Sequence, residues 1–85
     1  MEEKEVGKVL DYYAKIGVVA IEITEGEIKI GDKLHFKGAT TDFTQTIESM
    51  QIEHKPVEVA KKGDKVGIKV RERVRPHDKV FKVIE

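Results

Sequence analysis

The sequence has no cysteine and no tryptophan, and its 85 residues include only two prolines. Without cysteine, disulfides, zinc–thiolate sites and a cysteine nucleophile are all excluded. No apolar run approaches the roughly 20 residues that a membrane-spanning helix needs. The acidic start, MEEKE, has neither the basic nor the apolar region of a secretory signal. These absences lead us to expect a cytoplasmic protein.

A helical repeat of 3.6 residues is also missing over any long segment, whereas alternation with a period of two runs through most of the chain. Short alternating segments separated by Gly, Asp and Pro predict an all-β fold, which we interpret as a small six-stranded, at least partly closed β-barrel. The length allows one hydrophobic core. We therefore predict a single domain over residues 6–85, preceded by a frayed acidic segment at residues 1–5.

Two interruptions of the alternation predict bulges. Val6 and Val9 have odd spacing, and Gly7 between them allows a bulge that turns both side chains inward. Further on, the buried phase switches between Ile47 and Met50, which predicts a second bulge near residues 48–49.

Charge is distributed unevenly although the formal net charge is zero. Residues 55–82 contain ten Lys or Arg against four Asp or Glu, so this third of the chain is basic and the remainder is acidic. If the alternation of the strand continues through KVRERVR, its cations share one face at 6.5–7 Å intervals, which is about the spacing of successive phosphates. The candidate nucleic-acid-binding residues are Lys61, Lys62, Lys65, Lys69, Arg71, Arg73 and Arg75. The alternative is a solvated strand face paired with carboxylates such as Glu22 or Glu48.

Other polar residues do not form a recognisable catalytic or metal-binding pattern. His35, His54 and His77 are 19 and 23 residues apart and lack the spacing of a metal site. The Gly-Asp turns account for Asp32 and Asp64 without chemistry. No G-x-x-x-x-G-K-[ST] loop is present, which argues against nucleotide hydrolysis. We predict no catalytic residue, no metal and no cofactor.

Four segments together carry a family resemblance: VGKVLDYYAKIGVVAIEI, IKIGDKLHFKG, TQTIESMQIEHKPVEVAKKGDKVGIKV and VRPHDKVFKV. They resemble the domain-two barrel of elongation factor Tu and other translational GTPases over residues 6–83. The segment GATTDFTQTIESM is also similar to the C-terminal barrel of collagenase-like peptidases. The sequence departs from the GTPase pattern before its last strand, where Pro76-His77-Asp78 replaces Gly-Asp.

The resemblance implies a stand-alone homologue that binds but does not catalyse. In translational GTPases this barrel helps to receive the 3′ end of aminoacyl-tRNA, which would make GATTDFTQ the edge of an equivalent cleft. The first hypothesis is therefore contact with RNA, either tRNA or the ribosome. The alternative hypothesis is a protein-interaction module that docks onto a partner enzyme such as a collagenase-like peptidase.

Overall fold

The computed structural model describes residues 2–84, and this part of the chain consists of ten β-strands without a helix. The strands are β1 (Glu2–Tyr13), β2 (Val18–Ile23), β3 (Glu27–Lys29), β4 (Lys33–Lys37), β5 (Asp42–Thr46), β6 (Met50–Ile52), β7 (Lys55–Val57), β8 (Val59–Lys61), β9 (Lys65–Lys69) and β10 (Lys79–Ile84). The predicted all-β fold is confirmed. The strands number ten rather than six because three additional strands of three residues each, β3, β7 and β8, pair in connecting segments, and residues 47–49 separate β5 from β6.

Eight of these strands form one antiparallel sheet in the order β5-β4-β10-β1-β2-β9-β6-β7, and β3 pairs with β8 in a second, two-stranded sheet. Alternation decides which side chains enter the core between them. On β2, Val19, Ile21 and Ile23 are buried, whereas the residues between them are half-buried. Phe36 and Phe43 stack in the core with their ring centroids 5.0 Å apart. The core is aliphatic elsewhere, which is typical of side chains that suit a pleated surface.

Strand β1 is longer than predicted and contains two register shifts. The bulge predicted at Gly7 is confirmed, since the pairing with β10 shifts between Glu5 and Gly7 and both Val6 and Val9 are buried. A Cβ atom at Gly7 would overlap the carbonyl oxygen of Glu22. Residues 2–5 do not fray but pair with β10 in register from Glu2 opposite Ile84. This differs from the expectation because the last strand provides backbone partners that local composition does not reveal.

The second predicted bulge is wrong. Residues 47–49 belong to no strand, and the chain changes partners there: β5 pairs with β4, whereas β6 pairs with β7 and β9. Ile47 stays buried and is held by two backbone hydrogen bonds, from its amide to the carbonyl of Asp32 and from the Gly31 amide to its own carbonyl. The switch of buried phase therefore marks a change of pairing between two strands.

Three turns share one geometry. In each, the amide of an Asp donates to the carbonyl of the residue three positions earlier, and the Asp carboxylate accepts from the amide of that earlier residue. The residue immediately before the Asp has positive φ. The third residues are Gly31 (φ 95°), Gly63 (φ 94°) and His77 (φ 75°). Positive φ at this position, after a residue of negative φ, defines a type II turn. Pro76-His77-Asp78 thus forms the same turn as the two Gly-Asp sequences.

Candidate functional site

The predicted basic stripe depends on strand β9 continuing through Arg75, and this premise is wrong. Strand β9 ends at Lys69, and residues 70–78 form a loop. Val70 and Val74 bury their side chains and anchor this loop, and the Val70 amide donates to the carbonyl of Gly17. No strand partner within residues 2–84 continues past Lys69, so the pleat of a sheet does not fix the spacing and direction of the arginines in the loop.

The seven candidate residues are exposed and fall into separate groups. Lys61, Lys62 and Lys65 lie around the turn from β8 to β9, and Lys69 lies at the far end of β9, roughly 13 Å away at about 3.3 Å per residue. Arg71, Arg73 and Arg75 lie on the loop that follows. No continuous track of seven cations is formed.

Of the two carboxylate partners suggested by the sequence, Glu22 is engaged elsewhere and Glu48 forms no ion pair within residues 2–84. Glu22 is opposite Lys65 in register, but its nearest cation is Lys8, whose Nζ is 3.8 Å from Oε1. Within residues 2–84, Lys62 is the one candidate that forms an ion pair, with its Nζ 3.6 Å from Oε1 of Glu25. Both side chains of that pair are largely exposed, and such a pair contributes little. Six of the seven cations therefore stand without an ion-pair partner in the described part of the chain.

One glutamine joins the end of β9 to strand β5. The Gln45 Nε2 donates to the carbonyl of Lys69 (2.6 Å), and the Gln45 Oε1 accepts from the amide of Arg71 (2.8 Å). The Arg71 guanidinium also donates to the carbonyl of Thr44 (3.3 Å). Strands β5 and β9 have no backbone pairing, so the Gln45 side-chain amide makes the hydrogen bonds that a neighbouring strand would otherwise make.

A polar cleft of about 490 Å³ opens beside this bridge. Its walls carry two cations, one carboxylate and several neutral hydrogen-bonding groups. The lining residues are Gln45, Thr46, Glu48, Ser49, Lys69, Val70 and Arg71. The cleft therefore offers positive charge for an anionic ligand and acceptors for a ligand that also carries hydrogen-bond donors.

A second charged cluster lies on the outer face of β1, β4 and β5. His35 Nδ1 is 2.9 Å from a Glu3 carboxylate oxygen, and its Nε2 is 2.5 Å from Asp42 Oδ1. The hydrogen bond with Glu3, followed by that with Asp42, raises the pKa of His35 above its ordinary 6.5. The bond with His35 lowers the pKa of Asp42 below 3.8. Both ring nitrogens are occupied, so the cluster links three strands rather than presenting a free imidazole.

The remaining candidates stay dispersed. Among residues 2–84, no group of three His, Cys, Asp or Glu side chains is arranged to hold a metal ion. The same residues include no helix that is long and apolar enough to cross a membrane. Asp78 is buried and accepts from the Arg75 amide within its turn.

The antiparallel arrangement with a cleft between β5 and β9 is that of a small β domain of the type found in translation proteins. The family model for elongation factor Tu domain 2 matches residues 17–73, and the chain belongs to this family. The resemblance stated from sequence is thereby confirmed.

The chain is also similar to segments of peptidases. It is 44% identical over 78 residues to an uncharacterized protease of Methanocaldococcus jannaschii and 41% identical over 78 residues to a collagenase of Porphyromonas gingivalis. Each match covers 91% of this chain but only 19% and 22% of those proteins. The chain thus spans about a fifth of the length of the curated relatives it matches.

Two solved structures have the same fold over nearly their whole length. Both are of the C-terminal domain of a protein assigned as a U32 peptidase from Geobacillus thermoleovorans, each 25% identical to this chain. One has a TM-score of 0.85 and covers 91% of this chain and 96% of its own; the other has a TM-score of 0.88 and covers 95% and 93%. The second resemblance stated from sequence, to a peptidase-associated barrel, is confirmed as well.

Sequence reasoning did not single out Gln45, although the residue ends the segment GATTDFTQ proposed as a cleft edge. Gln45 is half-buried between exposed Thr44 and Thr46. Its position on the buried phase after Phe43 was the available signal, because a polar residue there needs a partner.

Proposed function

We propose that the chain is a non-catalytic binding domain that functions together with the body of a U32-type peptidase. The observation that carries this proposal is 41–44% identity to segments that make up about a fifth of three longer peptidases. The fold adds support, since the two structural relatives represent a C-terminal domain of such a protein. Catalysis then belongs to the other four-fifths of those proteins.

A domain exchange tests this function. The matching 78-residue segment of the P. gingivalis collagenase would be replaced by this chain, and collagen hydrolysis would be compared with the parent and with a version lacking the segment. We expect the exchange to retain hydrolysis and the deletion to lose most of it. Full activity in the deletion version would show that the domain is dispensable and would refute the proposal.

The cleft beside Gln45 favours a second candidate function, contact with RNA. Lys69 and Arg71 supply two cations for phosphate, and Glu48 supplies an acceptor for a 2′-hydroxyl or an exocyclic amine. The cleft also includes Gln45 and Thr46, at and next to the end of GATTDFTQ. These groups suit a short single-stranded end better than a long duplex track, because the other basic residues lie elsewhere.

Fluorescence anisotropy with bulk tRNA at about 50 and 200 mM salt tests the second function, since phosphate contacts weaken steeply over this range. We expect the double substitution K69E/R71E to weaken binding and to flatten the salt dependence by about 0.7 for each phosphate that is no longer neutralised. K37E/K79E, a double charge reversal on exposed lysines that lie opposite each other on β4 and β10 and do not line the cleft, is the matched control. Equal losses of affinity in both variants would indicate a general charge effect and would remove the cleft from consideration.

A further inference from the structure

Apolar side chains lie together on the outer face of β1, β2 and β9. The register places Tyr13 opposite Val18 and Val18 opposite Lys69 in one row. In the next row Ala20 and Gly67 lie opposite each other, with Asp11 beyond Ala20 and Gln51 beyond Gly67 as its polar ends. Partners directly opposite in a sheet share a face. Tyr13 is 49% exposed, while Val18, Ala20 and Gly67 are half-buried.

The bulge in β1 enlarges this face. The register with β2 shifts between Val9 and Asp11, and the flanking Val9 and Tyr12 side chains both pack against the core. The two residues between them, Leu10 and Asp11, are therefore both directed outward, and both are exposed. Leu10 thus joins the apolar row, with Ile16, 63% exposed, in the adjoining turn. Three of the five large exposed apolar side chains of the described residues belong to this region.

Gly67 lies near the centre of this face, and the fold does not require it to be glycine. A Cβ atom there would lie 3.5 Å from the nearest atom, the Val18 Cγ1, which is an ordinary van der Waals distance. The φ angle of Gly67 is not positive. A glycine in a strand weakens it and often marks a place where another chain approaches the backbone closely.

We propose that the outer face of β1, β2 and β9, centred on Ala20 and Gly67, is the surface by which this domain docks onto an apolar segment of the peptidase body. This inference rests on the proposed function and identifies the face of the domain that contacts the peptidase body. The relatives contain about four times as much chain outside the matched segment as within it, which supplies the occupant. The small side chains let the body approach the sheet closely, and Leu10, Tyr13 and Val18 provide apolar contact around them.

Two variants separate docking from folding. In the isolated chain, G67V should leave the free energy of unfolding unchanged or raise it, because a β-branched residue suits a strand and a Cβ atom there meets its neighbours only at van der Waals distance. In the collagenase exchange described above, the same substitution should reduce collagen hydrolysis toward the level of the deletion version. T44V, a similar apolar substitution on exposed Thr44 of β5, is the matched control and should retain hydrolysis.

Cysteine labelling reports the surface directly, since the chain has no cysteine of its own. A20C should react readily with maleimide in the isolated chain and slow by an order of magnitude in the exchanged collagenase, measured on the peptide that contains residue 20. K37C, on the exposed end of β4, should react equally in both. G67V combined with A20C should restore the fast reaction.

The outcomes distinguish the surface from the function. If the exchanged collagenase is active, the deletion is inactive, and residue 20 nevertheless stays fully reactive, then the domain is needed but this face is not its contact. If the deletion is active, the proposed function itself fails. Retained hydrolysis in the G67V exchange would also overturn the assignment of the face.

Discussion

The turn between β6 and β7 provides a sharp test of the backbone geometry. Ile52 pairs with Lys55, so Glu53 and His54 form a two-residue loop, with φ of 52° and 65°. Positive φ at both positions defines a type I′ turn, for which Asn-Gly is the preferred sequence. The turn type therefore matches the twist of the two strands, whereas Glu and His are not the residues preferred at its two positions.

The expected gain from E53N/H54G follows from the cost of left-handed backbone. A residue other than glycine costs about 1–2 kcal/mol there, and Asn less than most. Glycine at the second position offsets about 0.5–1 kcal/mol of that gain, because glycine loses more conformational entropy on folding than other residues do. The net stabilisation is about 1–2 kcal/mol, which for a domain of this size corresponds to a rise in Tm of about 5–15 °C. Neither Glu53 nor His54 has a side-chain hydrogen bond or ion pair within residues 2–84, so little is lost.

Thermal and urea unfolding followed by far-UV circular dichroism measure this gain, and an unchanged m-value would show that the unfolded state is not altered. E53Q/H54Q is the control, because it removes the ionisable groups and keeps two residues with a Cβ in the left-handed region. Its stability should stay within about 0.5 kcal/mol of the parent, as for most surface substitutions. A stability of E53N/H54G no higher than that of the control would refute the argument from strain.

Three further outcomes are expected from the same unfolding measurements. Glu3 and Asp42 raise the pKa of His35, so the stabilisation by protonated His35 is complete below about pH 6.5 and is lost as the pH rises through the raised pKa. The Tm should therefore decline over this pH range; H35Q should remove the decline, and H54N should retain it. Q45A should cost about 0.5–1.5 kcal/mol, because it removes the hydrogen bonds to the Arg71 amide and the Lys69 carbonyl at positions that water can reach; a cost no larger than that of exposed Q51A would contradict the bridging role. H77G should be neutral or stabilising by up to about 1 kcal/mol, whereas H77V should cost about 1–2 kcal/mol, since a β-branched residue suits the positive φ there far less than His or Gly; equal stability of the two variants would contradict the turn geometry.

The strands were predictable where one face is buried. Leu34 and Phe36 alternate with exposed or half-buried neighbours over Lys33–Lys37, as a strand with one buried face requires. Gly7 indicated the first bulge because two apolar residues at odd spacing must both turn inward. In each case the information is local, since burial on one face dictates the period.

The candidate site was less predictable because its geometry depends on partners distant in sequence. The KVRERVR segment has a cation at every second position as a strand face would, but strand β9 ends at Lys69 and the following residues form a loop without a strand partner in the described part of the chain. Gln45 finds its partners 24 and 26 residues away, and no local pattern specifies such a pair. Lys69 and Arg71 remain close to each other, because Gln45 bonds to the backbone of both and holds them beside the cleft.

Two glycines show how the structure separates residues that the fold requires from residues that it leaves open. At Gly7 a side chain would collide with the backbone of β2, and the register shift beside it brings Val6 and Val9 into the core. At Gly67 the backbone angle is ordinary, and a Cβ atom would meet Val18 and Gln51 at ordinary van der Waals distances of 3.5 and 3.8 Å. The cost of a strand glycine, about 0.5–1 kcal/mol relative to alanine, is offset by packing in the first case and by nothing within the described chain in the second. A partner that approaches the sheet from outside is the proposed reason for glycine at residue 67, and the docking surface is assigned to this face on that basis.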